Sequence, residues 1–372
     1  MKYLLQLQPL GPFFFGSDRT FSYRGDFGLS DSYIVKSTRW PQQTHLLGMI
    51  RRVLLEINGL LNLRPHGWGI DPDDQAKAKI MIGDNNASAP SQLGKIKHIS
   101  PVFMISLQNN QPADFHFSLP MDAGLNFSPK IEPACKVSIA DVKTRQPVMF
   151  ANYEAKKGVK QGLTTGQFWS DYLKANAICD DDILKFDDVW LKVWQIGVKR
   201  KNRTVKEDED GSLYKKCSYL LQSDPQKGTA FRFGCILELY DDLFGAEFER
   251  QIYLGAERST FNMIITPYKK EYDAFMPRSC DKHTKAVVLG ELFDCENLFN
   301  PDHFVLNTEC TPFGRIIPSN TSECDRYRTT KSEQLNVLPK GSVIFFLNSP
   351  PNEIPIKNNF YTNIGYNHLI YV

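Results

Sequence analysis

The stretch from Arg39 to Leu61, RWPQQTHLLGMIRRVLLEINGLL, most limits how this chain can fold. Leu46, Ile50, Val53, Leu54, Ile57 and Leu61 recur at helical spacing and form one apolar face, while Arg51, Arg52, Glu56 and Asn58 fall mostly away from it. Pro41 suits a first helical turn, where its missing N–H leaves nothing unpaired, and Thr44 is an alternative cap. Gly48 keeps the period but weakens the helix by about 1 kcal/mol relative to Ala, which points to close packing or to close approach of a ligand. Before this helix, Lys2–Gln8 alternates like a strand and runs into the turn-rich PLGPFFFG. A strand followed by a crossover helix opens a β-α-β type unit. The helix start has two readings. Arg39, Gln42, Gln43, Thr44 and His45 either cap a core helix, or surround an anion site built on its free N–H groups and partial positive charge.

With 372 residues the chain has the length of two domains, and 42% hydrophobic residues supply sizeable cores. A net charge of +2 rules out a polycation, so nucleic-acid binding has to come from local patches. The N-terminal apolar run is broken by Gln6, Gln8 and Pro9, too short and polar for a signal peptide. No stretch reaches membrane-spanning length. The expectation is a cytoplasmic protein with no membrane partner. Its eight cysteines include no CxxC pair and read as free thiols rather than a disulfide framework.

Residues 17–38 read as an ordered loop. Residues 64–163 carry no dominant period and read as a long insertion, with short strand-like runs at Lys79–Ile82 and Val102–Leu107. Thr164–Ala177 is a second amphipathic helix, with Phe168, Tyr172 and Leu173 on one face. Val189–Val198 and LYKKCSYLL are strands joined by the charged segment KRKNRTVKEDEDGS, a long hairpin. Ala230–Leu239 and Arg258–Ile265 predict strands, with a short helix over Asp241–Arg250 between them. Lys285–Leu292, Ser342–Leu347 and the terminal NIGYNHLIYV add further strands. Two rounds of strand–helix–strand–strand–helix–strand fit an α+β chain of two ferredoxin-like folds better than a parallel sheet.

Lys199–Lys206 holds five basic residues in eight, followed by four acids, Glu207–Asp210. It reads as a solvated tip with compensating charges, or as an arm laying Lys and Arg along a sugar-phosphate backbone. Trp190, Trp194, Tyr214 and Tyr219 on the flanking strands either stack bases or fill a core. Asp241-Asp242 after a strand resembles a metal-binding aspartate pair, but Asp is also a good helix cap there. Cys280 and His283 have zinc-ligand spacing, and Cys295, His303, Cys310 and Cys324 follow, yet no second tight pair exists. No metal, cofactor or catalytic residue is assigned. Gly255-Ala-Glu-Arg258 reads as a simple turn or as a loop where backbone and Arg258 meet a phosphate.

PLGPFFFG, PQQTHLLGMIRRVLL, IGVKRKNRTV, GSLYK, LGAERS, PKGSVIFF and NIGYNHL occur in this order. Together they resemble the RAMP-superfamily subunit of type III-B (Cmr) CRISPR effector complexes that binds the crRNA 5′ handle. The resemblance implies two ferredoxin-like (RRM-like) folds. The first spans 1–280, with the insertion at about 64–163 and a thumb-like β-hairpin tip at about 198–213; the second spans 281–372. It implies a subunit without enzymatic activity in antiviral defence. Its partners would be the crRNA, the large polymerase/cyclase-like subunit, a backbone RAMP subunit and, indirectly, target RNA. Carried onto this sequence, Gln42, Gln43, Thr44 and His45 would face the handle, with Arg39 and Arg51 beside them. Lys199, Arg200, Lys201 and Arg203 would lie on the thumb, Gly255 and Arg258 in a Gly-rich loop, and Gly365, Tyr366 and Asn367 in a C-terminal Gly turn. The loop here reads Gly-Ala where Gly-Gly is common, and the terminal turn is less Gly-rich. Two alternatives remain at this stage. One is a metal-independent endoribonuclease that processes crRNA, with His45 and a nearby Lys in acid-base roles. The other is a purely structural bridge.

Overall fold

The computed structural model describes residues 1–16, 21–22, 33–64, 67–83, 93–123, 129–130, 149–150, 161–174, 178, 180–198, 213–224, 229–280, 284–293, 303–306, 311–313, 316–318, 329–331, 335–346, 354, 356 and 359–372. In chain order the main elements are β1 (Lys2–Pro9), β2 (Tyr33–Thr38), α1 (Gln43–Ile57), α2 (Gln75–Ile82), β3 (Ile96–Ile99), β4 (Phe103–Gln108) and β5 (Gln111–His116). There follow α3 (Gly166–Leu173), β6 (Trp190–Val198), β7 (Leu213–Leu221), β8 (Thr229–Leu239), β9 (Phe248–Tyr253) and β10 (Thr260–Pro267). The last are β11 (Lys285–Val288), β12 (His303–Leu306), β13 (Val343–Phe346), α4 (Asn359–Asn363) and β14 (Leu369–Tyr371). The fold is α+β, mostly antiparallel sheet with few helices. No helix among the described residues is long and apolar enough to cross a membrane.

The chain forms two compact units, each assembled from separate stretches. One takes residues 1–113, 187–268 and 312–334; the other takes 114–186, 269–311 and 335–372. The main sheet of the first unit has the order β9-β10-β1-β8-β4-β5, with β3 also pairing β8. β1 is antiparallel to both neighbours, Leu5 lying opposite Cys235 of β8 and Ile265 of β10. Tyr3 to Leu7 are all buried, as a central strand covered on both faces requires. Helix α1 joins β1 to the β3–β4 part of the sheet, the split β-α-β arrangement. Its apolar face is the expected one, with Leu46, Ile50, Val53 and Leu54 buried. It ends at Ile57, so Leu61 lies past it, and Gly59 at φ 65° makes the left-handed turn that often closes a helix. A Cβ on Gly48 would meet nothing within 4 Å, so this glycine serves no close packing.

Four sequence expectations need correction. Lys79–Ile82 is not a strand but the last turn of α2. Asp241–Arg250 is not a helix: Asp242 Oδ1 accepts hydrogen bonds from Tyr3 OH at 2.6 Å and Gly245 N at 2.9 Å, fixing a turn, and the chain continues as β9. The 17–38 stretch is not all loop, since β2 pairs in parallel with β7. Finally, 64–163 is not all peripheral, because β3 and β4 lie in the main sheet against β8.

A second sheet of the first unit runs β6-β7-β2, continued by the short strand Phe15–Gly16. The PLGPFFFG turn ties the two sheets: Phe13 exchanges backbone hydrogen bonds with Tyr219 of β7, and Leu10 N donates to Thr260 O of β10. Phe13 and Phe15 are buried and pack on Phe233 and Phe261 of the main sheet.

The second unit has a sheet of order β12-β13-β11-β14 over a core of Val288, Leu292, Leu338, Ile344 and Ile354. Thr165 caps α3 by accepting from Phe168 N, and Phe168, Trp169 and Tyr172 are its buried face. Asp122 is buried, taking a hydrogen bond from Tyr172 OH at 2.7 Å and an ion pair from Lys285 Nζ at 2.6 Å.

Candidate nucleic-acid interface

Side chains on opposed residues of paired strands share a face. The β6–β7 register sets Lys192 against Tyr219, Trp194 against Cys217 and Ile196 against Lys215. Lys36 of β2 pairs with Cys217 and joins the same face. That face is basic and aromatic: Lys215 Nζ sits 4.4 Å above the Trp194 ring, and the Arg39 guanidinium 5.7 Å from the centre of the Tyr219 ring. Burial pushes the Cys217 thiol up, against the lowering pull of Lys192, Lys36, Arg39 and Lys215.

The opposite face carries Gln195, Lys216 and Ser218, and these line a cleft of about 550 Å³. Its other walls are the turn Leu10–Phe14 and the loop Arg258–Thr260. Lys216 is half-buried, its Nζ 5.1 Å from the Phe14 ring centre, and desolvation lowers its pKa. Across the cleft, Arg258 is exposed at φ 55°, an uncommon backbone state for a residue with a side chain. Gly255, at φ 86° and ψ −170°, precedes it. A Cβ there would stand 2.6 Å from Phe14 O, the atom that accepts from Ala256 N at 2.9 Å. Ser259 Oγ completes the join by accepting from Phe14 N at 3.0 Å. Gly255 therefore holds the loop against the aromatic turn, and the loop presents Arg258. Two cations and the exposed Gln195 amide around one open cleft suit a phosphate and its sugar.

At the start of α1, Gln42 occupies the N-cap position in extended conformation without a side-chain cap. His45 is exposed, while Thr44, Arg39 and Arg51 are half-buried. Gln43 does not face outward: it is fully buried and its Nε2 donates to Ser100 O at 3.1 Å, pinning the helix start beside β3. Gly365, Tyr366 and Asn367, expected at an RNA surface, are buried in the second unit. Asn367 Oδ1 accepts from Phe293 N at 2.8 Å, and Tyr366 packs edge-on to Phe293. This turn is packing, fixed by a short polar side chain that tolerates φ 56°. Lys199, Arg200, Lys201 and Arg203 lie outside the described residues, as do His283, Cys295, Cys310 and Cys324. Among the described residues no group of three or more His, Cys, Asp or Glu gathers as metal ligands.

The place of Lys216 in the cleft wall does not show in the sequence, where it reads as one more basic residue of LYKKCSYLL. Its only local signal is strand alternation, which sends Lys215 and Lys216 to opposite faces.

Residues 5–270 match the family model described as CRISPR-associated protein (Cas_Cmr3). No curated protein matches the chain. Among solved structures it is similar to a chain of the cryo-EM structure of the Type III-B Cmr-beta bound to cognate target RNA. That likeness has a TM-score of 0.53 at 15% sequence identity and covers 100% of this chain and 96% of the other, a likeness of fold.

Proposed function

Because the chain belongs to the CRISPR-associated protein (Cas_Cmr3) family, we propose that it is a non-catalytic subunit of a type III-B CRISPR effector complex that holds and caps the 5′ handle of the crRNA. In the same reading it bridges the large polymerase/cyclase-like subunit to the backbone subunits, in antiviral defence. The observation that carries this is the cleft of the first unit, where Lys216 and Arg258 face one space beside the base of the β6–β7 hairpin. A handle phosphate between the two cations gains charge-assisted hydrogen bonds. Gln195, exposed on the same wall, suits a 2′-hydroxyl, the group that distinguishes RNA from DNA.

The test is fluorescence anisotropy of the full-length chain with a handle-containing RNA over a salt series. Lys216→Glu with Arg258→Glu is expected to weaken binding at least tenfold and to lower the log–log salt slope by roughly 0.7 per lost contact. Unchanged affinity and slope would overturn the cleft assignment. Specific cleavage of repeat RNA by the pure chain, abolished by His45→Ala, would overturn the non-catalytic part.

A further inference from the structure

Among the described residues, the longer outer strands of the first unit's sheets treat their free edges differently. β9, at one end of the main sheet, exposes Glu249, Arg250 and Gln251 and spans six residues. β5, at the other end, carries Pro112, which cannot donate to a ladder. Charge, proline and shortness are how proteins blunt sheet edges against unwanted pairing. β6 is the least guarded, with Lys192 as its one charge. It is nine residues long, contains no proline, and among the described residues pairs only with β7. Three large apolar side chains stand out from it: Leu191 is 51% exposed, Trp194 46% and Ile196 77%. They occupy both faces, Leu191 on one and Trp194 and Ile196 on the other.

We propose that β6 is a docking edge for an extended segment of a partner protein, which adds to the β6-β7-β2 sheet as a further strand. The occupant's chemistry follows from the edge. Main-chain groups of β6 supply the affinity, and its alternating side chains supply the selection. Apolar residues of the incoming strand cover Leu191, Trp194 and Ile196. A carboxylate on it meets Lys192, which with Lys215 and Lys36 makes no ion pair among the described residues. RNA is a poorer fit to the edge as a whole: Trp194 and Lys192 suit a base and a phosphate, but Leu191 and Ile196 give RNA neither counter-charge nor a stacking plane, whereas a strand covers all four positions. The inference rests on the chain being an effector subunit and names where a neighbouring subunit attaches.

The experiment compares the free full-length chain with the complex assembled from the effector subunits encoded alongside it, prepared with and without crRNA. Hydrogen exchange of residues 190–198 is followed in each. Exchange in β6 is expected to slow at least tenfold in the assembled complex irrespective of RNA. Leu191→Lys with Ile196→Lys, two exposed positions, is expected to weaken assembly at least tenfold. The same variant should leave binding of the handle RNA by the free chain unchanged or tighter, since it adds cations. Protection that appears only with RNA would overturn the proposal in favour of an RNA occupant. Protection in the free chain that rises with its concentration, with a dimer by sedimentation, would overturn it in favour of a second copy. Assembly with β6 exchanging at its free rate would overturn it outright. Failure of the wild-type chain to assemble at all would instead overturn the effector-subunit reading beneath it.

Discussion

Gly255→Ala separates what the loop does for the fold from what it does for a ligand. At φ 86° and ψ −170° the residue occupies a region open essentially to glycine alone, so a side chain there costs about 1–3 kcal/mol in strain. The new Cβ would also lie 2.6 Å from Phe14 O and 2.8 Å from Phe15 Cδ1. Phe14 O belongs to the backbone, so relief means moving the turn and stretching the Ala256 N to Phe14 O bond, worth about 1 kcal/mol. The sum is about 3 kcal/mol, a large part of the usual 5–15 kcal/mol of stability. Gly59→Ala is the matched control, because its φ is 65° and a Cβ there meets nothing within 4 Å. Strain alone predicts about 1 kcal/mol for it. At roughly 2–4 °C per kcal/mol for a unit of this size, calorimetry should show Tm falling by about 6–12 °C for Gly255→Ala and about 2–4 °C for Gly59→Ala. Equal shifts would refute the reasoning, since they would mean that Phe14 yields freely and packing does not demand this glycine.

Gly48→Ala, on the exposed face of α1 with open space around it, is expected to raise stability by about 0.5–1 kcal/mol, read as a higher urea midpoint. Asp122→Ala removes the buried partner of both Lys285 and Tyr172 and is expected to cost about 3–5 kcal/mol, whereas Asp122→Leu with Lys285→Met should recover most of it in the same thermal assay. The Tyr3–Asp242 pair predicts two pH ramps. Asp242 is held below the usual 3.8 chiefly by the Tyr3 hydroxyl, so its contribution is full above about pH 4 and is lost as pH falls through the lowered value. Tyr3 is pushed up to about 12 from 10.0, first by burial and then by Asp242, so its contribution is full below about pH 10 and is lost as pH rises toward 12. The stability difference between wild type and Tyr3→Phe should therefore be flat from about pH 5 to 9 and shrink outside that range; a slope at neutral pH would contradict the assignment.

The parts legible in the sequence are those that a local pattern encodes. α1 shows because its apolar spacing repeats over four turns, and β1, β8 and β10 show because their apolar runs are bounded by turns. Strand β4 is visible as FMISLQ, but its membership of the main sheet is not. Phe103 pairs with Gly234, more than a hundred residues away, and no local period carries that information. α2 misleads for a different reason. QAKAKIMI alternates small and apolar residues as a strand would, yet only Ala78 and Ile82 are buried, one helical turn apart, and the Pro72 turn before it sets up a helix start. Asp241–Asp242 misleads as well: Asp suits a helix cap, but no helix follows, and Asp242 instead closes a turn with Gly245 and with Tyr3 from the other end of the unit.

The cleft is illegible for a related reason. Two of its three walls, PLGPFFFG and the Gly255–Arg258 loop, stand out in the sequence, but their meeting does not, because each wall is brought in by a long-range backbone bond: Phe13 to Tyr219, Leu10 to Thr260, Ala256 to Phe14. The PLGPFFFG turn makes all three while burying Phe13 and Phe15 among Phe233 and Phe261. Changes on that wall perturb the core and the site together. Lys216 and Arg258 differ from that wall: Arg258 stands on an exposed loop, and the half-buried Lys216 lies beside the Phe14 ring on a strand face. Charge at the cleft is therefore free to vary while the frame that positions it is not. Substitution at the exposed Arg258 consequently reports first on ligand binding, substitution at Lys216 on binding together with its contact to Phe14, and substitutions at Phe13 or Gly255 first on stability.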